Sequence, residues 1–157
     1  MRDEKIRNGG LWIAGGGGIL AAGNIFIPPL HPSLFPATIF VAAVAALLFL
    51  RMLFSRFYRD GIDLINLDMR GGDPWPGKRK KFFDPDWGLF GIRTGSPKLL
   101  WVRAILFLGA MPLALTQAWV GIAIVQLWWA SLFVVMILSL MYGAIDTQSK
   151  HADGGLT

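Results

Sequence analysis

Residues 72–79, Gly-Asp-Pro-Trp-Pro-Gly-Lys-Arg, match the first seven positions of a phosphate-binding loop. Such a loop cradles phosphate oxygens with backbone N–H groups and holds Mg²⁺ through a Ser or Thr hydroxyl at its eighth position. Here that position is Arg79, so no hydroxyl is supplied. Pro74 and Pro76 also remove backbone donors that the anion would need. No strand–loop–helix pattern brackets the segment, and the spacing does not encode nucleotide chemistry.

The same stretch carries a second pattern. Lys78, Arg79, Lys80 and Lys81 run into Phe82 and Phe83, with Trp87 close behind. Beside a membrane, basic residues attract anionic phospholipid headgroups at about 1 kcal/mol each, and the aromatic rings suit the interface or a protein partner. Basic and aromatic groups also suit nucleic acid, but nothing else in the chain supports that, and no nucleic-acid partner is expected. Asp84 and Asp86 offer two carboxylates, too few for Ca²⁺, which takes six to eight oxygens.

The remaining reactive groups are sparse. There is no cysteine, and the two histidines are His31 and His151. Thiolate metal sites, disulfides and Cys nucleophiles are therefore excluded. No nucleophile stands near a base in the sequence. Catalysis, a cofactor, a metal or a small-molecule substrate is not expected of this chain.

What positions these residues is a set of apolar stretches. Segments 11–30, 34–50, 104–118 and 119–145 contain no Asp, Glu, Lys or Arg. The chain is 54% hydrophobic over 157 residues. A soluble domain of that size cannot bury four such blocks and still present a polar surface. A bilayer core needs about 20 apolar residues per helix. The expected fold is an all-α integral membrane protein, its four transmembrane helices forming two hairpins joined by a long, basic, Gly/Pro-rich cytoplasmic loop. The divisions are an N-terminal transmembrane hairpin over 1–57, the loop over 58–98, a C-terminal transmembrane hairpin over 99–145 and a cytoplasmic tail over 146–157.

Charge sets the orientation, because Lys and Arg gather on the cytoplasmic side. Arg2, Lys5 and Arg7 precede the first block, ten Lys or Arg fall in 51–98, and Lys150 follows the last block. The turns near 28–36 and 116–121 have none. Four crossings then place both termini and the loop in the cytoplasm, in a bacterial inner membrane. The apolar run after Arg7 exceeds an ordinary signal-peptide core and reads as an uncleaved helix.

The first helix is expected over 9–27, ended by Pro28 and Pro29. Gly10, Ala14, Gly18 and Ala22 recur every four residues on it, a small-residue stripe that lets helices approach closely in lipid. The stripe serves either a partner helix or the chain's own neighbours. The second helix is expected over 34–57. Residues 99–145 would make a helix about 70 Å long, so the chain must reverse, between 115 and 121. Arg103 is expected to snorkel from the third helix. Residues 58–69 mix apolar and acidic side chains and fit a short strand or an interfacial helix.

The function expected is that of a non-catalytic integral subunit, structural or assembly in role, of a multi-protein inner-membrane complex. A bacterial secretion or conjugation machine is one concrete form. Other membrane-protein subunits and anionic phospholipids are the expected partners. Two alternatives stand beside it: an accessory subunit of a respiratory or photosynthetic complex, and a small oligomeric pore of holin type.

Overall fold

The computed structural model describes residues 2–26, 34–70 and 97–154. These residues are almost wholly helical, with no strand among them. Six helices follow in order: α1 (Arg2–Phe26), α2 (Leu34–Phe54), α3 (Arg56–Arg70), α4 (Pro97–Leu115), α5 (Gln117–Val120) and α6 (Ile122–Gly154). Four of them, α1, α2, α4 and α6, are long and apolar enough to cross a membrane.

Several boundaries differ from those the sequence predicts. Helix α1 begins at Arg2, well before Gly9. Asp3 and Glu4 lie in its first turn, where acidic side chains complement the helix dipole. Helix α2 stops at Phe54, and α3 begins at Arg56. The interruption at Ser55 is slight, since its N–H still donates to Arg51 O (3.1 Å) and its carbonyl still accepts from Arg59 (3.2 Å). Helix α6 runs past 145 to Gly154, so much of the tail is helical. The predicted break falls at Thr116 and Gly121. Gly121 has φ 92°, a left-handed conformation open to glycine at little cost.

The chain forms two compact units, one of residues 1–48 with 101–138, the other of 49–100 with 139–157. In the first, α1 turns Gly10, Ala14, Gly17, Gly18, Ala21 and Asn24 inward. Trp12 and Phe26 are left more than four-fifths exposed, which suits contact with lipid. Helix α4 divides in the same way. Arg103, Ala104, Leu106, Ala110 and Leu113 are buried, while Trp101, Ile105, Leu108, Met111 and Leu115 are exposed. Helix α6 is the most buried of the four long helices. A helix buried on nearly all sides is apolar all round, as its sequence is.

In the second unit, α3 settles the choice for 58–69 in favour of a helix. Tyr58 and Gly61 are buried and Ile65 is half-buried, at helical spacing, whereas Arg56, Arg59, Asp60 and Asp63 are exposed. Gly61 lies directly against α6. A Cβ there would sit 2.6 Å from the Cβ of Ala144 and 2.8 Å from its carbonyl oxygen, so the two backbones touch and only glycine fits. Gln148 Nε2 donates to the Phe57 carbonyl and fixes the same pair of helices.

Candidate functional site

Trp128 organises the first unit. It lies in the second turn of α6, buried, and its indole Nε1 donates to Leu106 O of α4 at 2.6 Å. The ring occupies the space that a side chain at Gly109 would need. From α1, Gly18 comes so near that a Cβ would lie 2.8 Å from Leu106 Cδ2. Gly17 leaves similar room for Ser131, whose hydroxyl donates to Leu127 O at 2.9 Å. Glycine on α1 and α4 thus makes the space that Trp128 and its neighbours fill, which is packing by van der Waals contact rather than by the hydrophobic effect.

The small-residue stripe lies in this packing. Gly10 approaches Leu138, Ala14 is fully buried and Gly18 approaches Leu106. Ala22 departs from the stripe and lines a separate cleft with Ile19, Ile105 and Trp128, about 260 Å³ in volume. The reason is geometric. Four residues turn a helix about 40° more than a full circle, so a strict four-residue repeat drifts off the packing face. Ala21 replaces Ala22 in the buried row.

Arg103 is the chemical anomaly. It was expected to snorkel, yet it is 0% exposed. It stands on the buried face of α4 with Leu99, Leu100, Ala104 and Leu106. Among the described residues, none of Nε, Nη1 and Nη2 has a hydrogen-bond partner. A guanidinium carries five donors and no acceptor, and burying a charge without a counter-charge costs several kcal/mol. An ionisable group at membrane depth marks function more often than architecture.

A second cleft opens between α2 and the α5–α6 stretch. Thr38, Ala42, Gln117, Gln126, Trp129 and Phe133 contribute to its lining, and its volume is about 630 Å³. Thr38 spends its hydroxyl on Leu34 O at 2.9 Å. Gln117 and Gln126 are exposed, so two primary amides face the opening. Asn24 is instead buried and donates to Leu20 O of its own helix at 2.9 Å.

Lys78, Arg79, Lys80, Lys81, Phe82, Phe83 and Trp87, predicted to contact lipid or a partner, lie outside the described residues, as do Asp84 and Asp86. Among the described residues no three His, Cys, Asp or Glu are grouped to hold a metal. The buried, unpaired state of Arg103 was not visible in the sequence. A charge inside an otherwise apolar helix was the only signal, and it did not say which way the side chain faced. No protein-family model, curated protein or solved structure matches the chain.

Proposed function

We propose that the chain is a non-catalytic integral subunit of a multi-protein inner-membrane complex, crossing the membrane as two hairpins with both termini and 58–98 in the cytoplasm. The observation that carries this reading is Arg103, a fully buried cation for which the described residues supply no hydrogen-bond partner. Buried charges persist when something neutralises them. An acidic side chain on a helix of a partner subunit is the counter-charge that suits membrane depth, and it reaches Arg103 by displacing apolar neighbours as the complex assembles. A machine of the secretion or conjugation type is one such complex.

The test is purification of the tagged protein from its native membrane in mild detergent, with mass spectrometry of what accompanies it. A stable set of other subunits, lost on Arg103→Met and kept at least in part on Arg103→Lys, is expected. A lone chain or a homo-oligomer refutes the reading and favours a self-assembling pore.

A further inference from the structure

The cleft between α2 and the α5–α6 stretch has a composition that selects a ligand. Small-molecule sites are mostly apolar concavities of roughly 300–1,000 Å³ with a few placed polar groups, and this one, at about 630 Å³, falls within that range. Among the described residues its lining includes Thr38, Gln117, Gln126 and Trp129 and no charged side chain. These groups are graded along the helices. Gln117 lies in α5, Gln126 one turn into α6 and Thr38 one turn into α2, all near the same ends of their helices. Ala45 and Phe133 lie one to two turns further along, roughly 10 Å at 1.5 Å per residue. The two amides and Thr38 therefore lie toward one end of the cleft, beside Ile122 and Val125, and Ala45 and Phe133 toward the other.

We infer that it binds an uncharged amphiphile, a carbonyl-bearing head on a hydrocarbon or isoprenoid tail, of the quinone class. The exposed amides of Gln117 and Gln126 offer N–H donors within a mostly apolar cleft. A carbonyl oxygen accepts from the amide N–H₂ of Gln126 and Gln117. A phosphate head is the wrong match, since phosphate sites use Arg or Lys and the lining has neither. The tail fills the wall between Ala42, Ala45 and Phe133. This assignment is independent of the subunit reading, which rests on Arg103.

Decylubiquinone serves as the probe. The purified full-length protein in detergent is incubated with it, passed through size exclusion, and the retained quinone is quantified by absorbance after extraction. Saturable retention near one per chain is expected. Ala42→Phe, which fills the cleft from an exposed position, and Gln126→Leu, which keeps the volume but removes the amide, should each weaken retention at least tenfold while the helical circular dichroism is unchanged. Phosphatidylglycerol at the same concentration should not displace the probe. Retention that is non-saturable, or equal in Ala42→Phe and wild type, overturns the site. Displacement by phosphatidylglycerol overturns the uncharged head.

Discussion

Replacing Arg103 by methionine should make the isolated chain more stable and the assembled chain less so. Methionine is unbranched, similar in length, and adapts to irregular apolar space. The exchange removes three buried nitrogens for which the described residues supply no partner and leaves the stem's packing in place. Substituting buried ionic groups by apolar side chains of similar volume stabilises by about 1–4 kcal/mol. Because Arg103 is 0% exposed, solvent does not screen this difference. For a chain of this length each kcal/mol moves Tm by roughly 2–4 °C, so a rise of several degrees is expected in mild detergent, followed by tryptophan emission or circular dichroism. Arg103→Lys keeps a buried charge and should give no such rise. Co-purification of partners from the native membrane should move the other way, falling for Arg103→Met. A Tm that falls or stays unchanged in Arg103→Met refutes the reasoning, because it means that the guanidinium is already paired within the folded chain.

Gly61→Ala should destabilise the protein by about 1–3 kcal/mol through overpacking, since the new Cβ meets Ala144 backbone atoms at 2.8 and 2.9 Å. Trp128→Phe should lose about 1 kcal/mol with the hydrogen bond to Leu106 O. Gly109→Ala, which collides with the Trp128 ring, should be more harmful and should be partly rescued by Trp128→Leu, as read from a double-mutant cycle. Gly16 and Gly23 have open space where a Cβ would sit, so changing each to Ala should leave Tm unchanged or raise it, worth up to about 1 kcal/mol from helix propensity. Cysteines introduced at 33 and 80 should be labelled from opposite sides of an intact membrane, and labelling of both from one side would overturn the proposed topology.

The four membrane-length helices were legible because each is a long run without charge, and the break before α6 was legible because Thr116, Gln117 and Gly121 cluster there. Which face of each helix turns inward was far less so. Helix α1 advertised its packing face through glycine and alanine, but the four-residue repeat pointed to Ala22 where the helix buries Ala21. Helix α4 is apolar on all sides, so hydrophobic periodicity had no contrast to report, and Arg103 was placed on the wrong side. In α3 the acidic and apolar residues alternate at spacings shared by strands and helices over so short a stretch. Burial of Tyr58 and Gly61, a tertiary fact, separates the two.

The pairing of α1 with α6 has a consequence for how the protein is made. Helix α1 leaves the ribosome before the other three membrane-length helices and is the least apolar of the four. Gly17 packs against Ser131 and Gly10 against Leu138, residues that are synthesised much later. At about 5–20 residues per second, the stretch between Gly17 and Ser131 takes roughly 6 to 20 seconds to translate. Through that interval the glycine-rich face of α1 lacks its α6 contacts, while Val41 of α2, which also faces Gly17, is made early. Until α6 emerges, α1 has to be retained in the bilayer by lipid, by α2 or by the insertion machinery, so it enters the membrane well before its packing against α6 is complete.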